Sequence, residues 1–488
     1  MALKLLDPPV WHGKIRLDDW VPAAGGEYSV REPATGAELG TLGRAGPEDV
    51  SRAAAQAATA QRDWGTQPFD ARAAVLRRAA DLWGEHGAEI SDWIVREAGS
   101  TRPKAGFEIG MASGICQAAA ALTSYPYGQL IRSSQPRLSF TRRLPAGVVG
   151  VIAPFNVPLV LAIRYVAPAL ALGNAVVLKP DPRTAVSGGV TLARVFEEAG
   201  LPPGVLSVLP GGADVGEALI RDPNVNVVVF TGSTRGGRAV AQLAGEHLKR
   251  VHLELGGNSA FVVLEDADVE RAVAAGSFGS FFHQGQVCMA ASRHLVHASV
   301  AGEYTDRMVA HANKLTVGNP ATENVALGPI IDSTQRDNVH RLVTSSVARG
   351  AKLAAGGIYE DLFYRPTVLA DTPTSAPAYL EEIFGPVAPI TTFDTIEEAA
   401  ELAAGTPYGL ALSIVTRDVM KGLALAERIP TGLVHINDQP IHDEPTVPFG
   451  GVRDSGAGTR LGGFEANLEA FTELQWVTMR SEVPWYPF

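Results

Sequence analysis

The stretch QGQVCMAASR, residues 284–293, holds Cys288, one of only two cysteines in 488 residues. A free cysteine is most often a small buried hydrophobe. Cys116, in GICQAAA on an apolar helix face, fits that description. Cys288 invites a second reading, as a nucleophile, because the chain also offers an acid. In LELGGNSA, Glu254 ends an apolar strand beside a Gly-Gly turn, where a carboxylate needs a partner or a raised pKa. Taken alone, Glu254 also reads as a surface acid at a strand end. The choice depends on the elements that position thiol and carboxylate.

Those elements belong to a chain of about three domain-sized units, or two large ones with appendages. A hydrophobic fraction of 46% with 19% charged residues describes a soluble globular protein with a sizeable core. A net charge of −11 and a pI near 5.5 argue against nucleic acid or an anionic membrane surface as partner. Two cysteines make no disulfide framework, so a reducing compartment is expected. The N-terminal MALKLLDPPVWHGK lacks the continuous apolar core of a secretory signal. Uninterrupted apolar runs such as GVVGVIAP fall well short of a bilayer span. The expectation is a cytoplasmic protein.

Residues 47–62 and 70–90 read as helices. From 148 onward, apolar strands alternate with helices: VVGVIAP, NAVVLKP, GVLSVLPG, VNVVVFTGS and RVHLELGG. This pattern predicts right-handed βαβ units and a parallel sheet, the α/β class. A second set, with AFVVL, RHLVH and LALSIVT as strands, runs from about 257 to 430. The stretch 127–144 alternates polar and apolar residues and reads as a hairpin leaving the first domain. The tail FTELQWVTMR is also β-rich, and two such edges suit pairing between subunits. No repeat or metal-ligand spacing is found, so no metal is expected.

At this point the sequence resembles the aldehyde dehydrogenase superfamily. LELGGN and GQVC, with Glu254 and Cys288 34 positions apart, look like its signature pair. APFNVP, LGNAVVLKP, FTGSTRGG, EEIFGPV and PFGGVRDSG follow the family's other motifs, covering the chain from about residue 15 to the end. KPDPRTAVSGG, VLPGGADVGEAL and HQGQVCMAASRHLVH look closer still to the bacterial benzaldehyde branch, which includes vanillin-type enzymes. The resemblance implies a Rossmann-like dinucleotide-binding domain over 1–123 and 145–253 and an α/β catalytic domain over 254–435. An oligomerisation arm would take 124–144 and 470–488, with 436–469 returning to the cofactor domain as a substrate-entrance segment.

The chemistry agrees with that resemblance. Oxidising an aldehyde with a nicotinamide requires hydride loss from a tetrahedral carbon bearing an oxyanion. A thiolate at Cys288 creates that carbon by adding to the carbonyl. The Asn156 side-chain amide and the Cys288 N–H are assigned to the oxyanion, a donor of this kind contributing about 3 kcal/mol. Glu254 is assigned to activate the water that hydrolyses the resulting thioester. Asn156 on its own would read as a turn former before Pro158; its place in PFN, after a buried strand, reverses that. Val287 and Met289 exclude water and are expected to hold the thiol pKa near or above its free value.

The expected cofactor is NAD or NADP. FTGSTRGG is strand, glycine turn and helix, weaker than a full dinucleotide fingerprint. By resemblance it lies beside the pyrophosphate, with Phe230, Thr231, Gly232 and Ser233 in contact. Lys179 is implied to meet the adenosine ribose, and Glu382 the nicotinamide ribose, with Phe384 against the ring. Ile152, Ala153, Pro154, Phe155, Asp181, Gly212, Gly216, Leu255 and Gly256 complete the implied set. Two departures matter. Pro182 stands where many NAD-preferring members carry a glutamate, and the Arg183 that follows is expected to be able to pair with a 2′-phosphate. Phe155 replaces the usual tryptophan. In addition, Arg460 occupies the place of a second acid found in some relatives.

For the substrate pocket, Val157, Leu161, Arg164, Phe282, Val287, Met289, Ile441 and Phe449 suggest an apolar slot for a flat aryl aldehyde. Arg164 and His442 are placed to meet a ring hydroxyl or methoxy group. The function expected is oxidation of a benzaldehyde- or vanillin-like aldehyde to its acid by a homodimer or homotetramer. Alternatives are an enzyme for aliphatic or semialdehyde substrates, a CoA-acylating relative, against which Glu254 argues, or a protein that only binds dinucleotide. A cysteine hydrolase is weaker again, because no histidine sits in a motif with Cys288.

Overall fold

The computed structural model describes residues 4–488. Two seven-stranded sheets carry it. In the first, Arg250–Glu254, Val225–Thr231, Val148–Ile152, Ala175–Lys179 and Leu206–Val208 lie side by side and parallel. Lys14–Arg16 and Trp20–Pro22 extend the edge in antiparallel fashion. These strands are runs of valine, leucine and isoleucine because helices cover both faces of a parallel sheet. Chain order reverses between Val148–Ile152 and Val225–Thr231. The crevice beyond the C-terminal ends of two such strands is where open α/β sheets bind ligands.

The second sheet runs Lys352–Ala355, Thr367–Ala370, Val387–Phe393, Ala291–His297, Ser259–Val263, Ala411–Val415 and Leu433–Ile436. All are parallel except the first. A separate two-stranded ribbon pairs Leu138–Pro145 with Thr472–Met479 along its whole length. Residues 127–131 run back along the first of these strands, through Arg143 N to Tyr127 O and Ile131 N to Ser139 O. The ribbon leaves Leu474, Trp476 and Met479 largely exposed.

One expectation needs correction. The single helix over 70–90 is two, Phe69–Glu85 and Gly87–Ala98, because His86 departs from helical geometry (φ −100°, ψ 12°). One helix, Arg102–Leu122, is long and apolar enough by composition to cross a bilayer, although its apolar run is broken by charge. It packs against Phe69–Glu85 and Pro158–Ala171 and buries Lys104 and Glu108 on its inner face.

Candidate active site

Three loops meet at one cleft. The first leaves the strand Val148–Ile152 and carries Phe155 and Asn156 into the helix Pro158–Ala171. The second leaves Arg250–Glu254 through Gly256 and Gly257. The third joins the helix Val269–Phe281 to the strand Ala291–His297 and carries Cys288. Their approach is close. A Cβ on Gly257 would sit 2.3 Å from the Cys288 carbonyl oxygen, so no larger residue fits there without moving the nucleophile loop. In that loop His283, Gln284 and Gly285 all have positive φ (49°, 55° and 66°), a conformation that costs the two non-glycine residues free energy. Tertiary bonds hold it. Gln284 Nε2 donates to the carbonyls of Gly99 and Pro329 at 3.0 and 2.7 Å, and Gln286 Oε1 accepts from Ile331 N at 3.0 Å.

Cys288, Glu254 and Asn156 all line one cleft of about 510 Å³. Asn156 Nδ2 donates to the Gln286 carbonyl at 2.9 Å, and its second amide hydrogen remains for another acceptor. Burial raises Cys288 to about 12, and the carboxylates of Glu382, Glu254 and Asp443 add to the shift. Burial also holds Glu254 well above the ordinary carboxyl range, opposed by Arg164 and Arg460. Both Glu254 carboxylate oxygens are buried without a protein partner. An acid so placed is suited to take a proton from a reactant.

The same cleft is lined by Pro154, Phe155, Leu161, Thr231, Gly232, Ser233, Leu255, Gly256, Glu382 and Phe384. A second hollow of about 410 Å³ takes Ile152, Lys179, Gly216 and Phe230 into its wall. Burial lowers the Lys179 pKa, while Asp181 and Asp214 oppose the shift. A dinucleotide fits these residues. The helix Thr234–Glu246 starts at the cleft, and the Ser233 hydroxyl accepts from Gly236 N at 3.2 Å, leaving its own hydrogen to donate to an anion. A Cβ on Gly237 would meet Leu255 at 2.3 Å, so the glycine lets that helix approach the adjoining loop. Burial raises Glu382 to about 7, and its Oε1 accepts from Gly257 N at 3.0 Å.

Other expected residues lie elsewhere. Ala153, Asp181, Arg183 and Gly212 line neither hollow. The Arg183 guanidinium, expected to be able to pair with a phosphate, is engaged by two carboxylates. Its Nε and Nη2 donate to the two Asp181 oxygens at 2.9 and 2.8 Å, and its Nη1 to Asp332 at 2.6 Å. Val157 packs onto the core of the first sheet. Phe282, Val287, Met289, Ile441 and Phe449 gather with Leu410 and Leu433 into one apolar cluster around Cys288. Phe282 also stacks on Phe278, centroids 4.9 Å apart. Arg164 is buried, ion-paired with Asp443 and laid over the Phe449 ring at 5.1 Å, so its charge is already matched. His442 is half-exposed and contacts Glu444 at 3.2 Å. Cys116 is fully buried against Trp83, whose Nε1 lies 3.3 Å from its sulfur.

Several residues around the site escaped the reading of the sequence. Lys104 Nζ donates to the Asn156 carbonyl at 2.8 Å and to Glu108, whose other oxygen accepts from Leu159 N at 3.0 Å. This buried pair ties the Asn156 turn to the helix Arg102–Leu122. Its signal was present: a lysine and glutamate four residues apart on an otherwise apolar helix face. Tyr165 and Thr231 share a 2.7 Å hydroxyl contact close to Glu254. Arg235, Gln335 and Asn338 also line the cleft.

Known proteins resemble this chain in sequence and in fold. Residues 20–477 match the Aldehyde dehydrogenase family. A vanillin dehydrogenase from Amycolatopsis sp. is 63% identical over 486 residues, the whole of both chains. A benzaldehyde dehydrogenase [NAD(+)] from Pseudomonas putida is 51% identical over 99% of each. Among solved structures, a salicylaldehyde dehydrogenase from Pseudomonas putida complexed with salicylaldehyde superposes with a TM-score of 0.94 at 32% identity. That match covers 97% of this chain and 99% of the other.

Proposed function

The chain belongs to the aldehyde dehydrogenase family, and from that premise we propose that it oxidises an aromatic aldehyde of the benzaldehyde or vanillin type to its carboxylic acid with NAD or NADP. The observation that carries this reading is the convergence of Cys288, Asn156 and Glu254 on one cleft, with an apolar cluster that includes Phe282 and Phe449 packed about Cys288. The named activities of the full-length relatives support the aryl substrate.

Cys288 reacts as the thiolate, its proton released to solvent, and its sulfur adds to the aldehyde carbon to form a thiohemiacetal oxyanion. The oxyanion accepts from the Asn156 amide and the Cys288 N–H, donors fixed in place before the charge develops. The bound dinucleotide, held by Lys179, Ser233 and Glu382, supplies the hydride acceptor. Glu254 takes a proton from water as that water attacks the thioester, and collapse releases the acid and the thiolate. The cluster of Val287, Met289 and Phe449 keeps other water from the sulfur and lies against the aryl ring.

The partition into a cofactor domain (1–123 and 145–253), a catalytic domain (254–435), an arm (124–144 and 470–488) and a return segment (436–469) belongs to the same proposal. The two separate seven-stranded sheets and the ribbon of Leu138–Pro145 with Thr472–Met479 support it. So does a homodimer or homotetramer, given the exposed apolar side chains on the ribbon. A cytoplasmic location fits the sparing use of cysteine.

The test is a kcat/KM panel of benzaldehyde, vanillin, salicylaldehyde and a short aliphatic aldehyde with both dinucleotides. Aryl substrates are expected to lead. An aliphatic lead of more than about tenfold, roughly 1.4 kcal/mol in the transition state, overturns the aryl reading. Acyl-CoA formation on adding CoA would replace the hydrolytic step with thiol transfer.

A further inference from the structure

Phe155, one of the departures from the family pattern, touches Arg183, the residue that follows the other departure at Pro182. The Arg183 guanidinium lies over the Phe155 ring, 4.1 Å from its centroid. Phe155 in turn meets Phe384 edge to face, centroids 5.8 Å apart and planes at 76°. Both rings line the cleft beside Cys288, and they come from loops of different sheets. Phe155 follows a strand of the first sheet, and Phe384 precedes a strand of the second.

A second bridge runs parallel to that contact. Arg183 follows the strand Ala175–Lys179 and reaches across to Asp332, which caps the helix Ser333–Ala348 through a 2.8 Å bond from Gln335 N to its other oxygen. Gln335 Nε2 then donates to the carbonyls of Ile383 and Phe384 at 3.3 and 3.0 Å. Phe384 needs holding, because its φ of 52° is one a phenylalanine rarely adopts. The guanidinium therefore has one face on Phe155 and, through Asp332 and Gln335, a hold on the backbone of Phe384.

We propose that Arg183 is a positioning residue that clasps the two walls of the cleft, fixing Phe155 and Phe384 against the nicotinamide end of the dinucleotide, and that it is not a ligand for a 2′-phosphate. This rests on the cleft being the dinucleotide site. The planar fork has the right shape for a clasp, because two nitrogens take Asp181, a third takes Asp332, and the face remains for the ring. A lysine carries the same charge without that geometry.

The test is a double-mutant cycle of Arg183→Ala and Phe155→Ala, with Arg183→Lys and Asp332→Asn alongside. Readouts are kcat and KM with NAD, and NADH and NADPH binding followed by their fluorescence. Arg183→Ala is expected to lower kcat/KM for NAD by roughly tenfold, and the double variant to be no worse than the poorer single one, a coupling of about fivefold or more. Arg183→Lys is expected not to restore activity, Asp332→Asn to shift it in the same direction, and the ratio of NADPH to NADH affinity to stay within about threefold. Rescue by lysine, a selective loss of NADPH affinity beyond about tenfold, or effects that simply multiply would overturn the proposal. Where Arg183→Ala fails to fold, the lysine and Asp332→Asn variants carry the same comparison. If no aldehyde turns over, the functional reading fails, while the NADH titrations still judge Arg183 by themselves.

Discussion

The side-chain amide of Asn156 donates to the main-chain carbonyl of Gln286 at 2.9 Å, two residues before the nucleophile. One hydrogen bond thus ties the proposed oxyanion donor to the loop that carries the thiol, so the distance between amide and sulfur is set before substrate arrives. Asn156→Ala removes both the donor and the tie. We expect kcat to fall by about 10²–10³ with a smaller change in aldehyde KM, as steady-state rates on benzaldehyde would read. An equal rise in KM with kcat intact would show that the amide serves binding alone.

Lys104 is the support beneath that amide. Its ammonium is buried with Glu108 and holds the Asn156 carbonyl, and burial lowers its pKa against the pull of Glu108. Lys104→Met would leave the Glu108 carboxylate uncompensated, at a cost of about 3–5 kcal/mol. The expected result is a clear fall in Tm together with reduced kcat. Lys104→Met with Glu108→Gln should recover most of the Tm and little of the kcat, since the Asn156 carbonyl stays unsupported. Full recovery of both would remove Lys104 from the positioning of Asn156.

Cys288, Glu254 and Asn156 were legible in the sequence because each sits in a short segment whose neighbours serve the same purpose. Gly256 and Gly257 exist to bring one loop onto another, and that need is written locally. The Lys104–Glu108 spacing was visible, but the contact of Lys104 with Asn156, 52 residues away, was not, because nothing near Lys104 records it. The ion pairs of Arg183 were only half legible for a related reason. Asp181 was visible two residues before it, but Asp332 arrives only when the second sheet docks. The strands of both sheets followed from apolar runs, whereas the break at His86, flanked by Gly84 and Gly87, was read through because the helical pattern continues on both sides of it.

Gly257→Ala tests the closeness of the two loops directly. The added methyl would meet the Cys288 carbonyl at 2.3 Å and Leu410 at 3.2 Å, so the nucleophile loop has to move. A shift of about 1 Å at a reacting group costs roughly 10²-fold in rate. We expect that loss in kcat with little change in Tm, and slower alkylation of Cys288 by iodoacetamide. Wild-type turnover in this variant would mean that the loop has slack.

The pH dependence follows from the direction of two shifts. Cys288 is raised to about 12 by burial and by the carboxylates of Glu382, Glu254 and Asp443, and Glu254 is raised by its own burial. Both groups act in their deprotonated forms, so the active fraction grows as pH climbs toward the raised values. We therefore expect kcat/KM to increase from pH 7 to about 10. Glu382 itself is raised to about 7, so above neutrality it is ionised and opposes the thiolate. Glu382→Gln removes that negative charge, which lowers the thiol pKa and increases the thiolate present at any given pH. Iodoacetamide alkylation of Cys288, measured across pH without dinucleotide, should then shift its midpoint downward relative to the wild type. The readout is independent of turnover, which the same substitution is expected to impair. An unchanged or higher midpoint would mean that Glu382 does not act on the sulfur, leaving burial and the other two acids to account for its raised pKa.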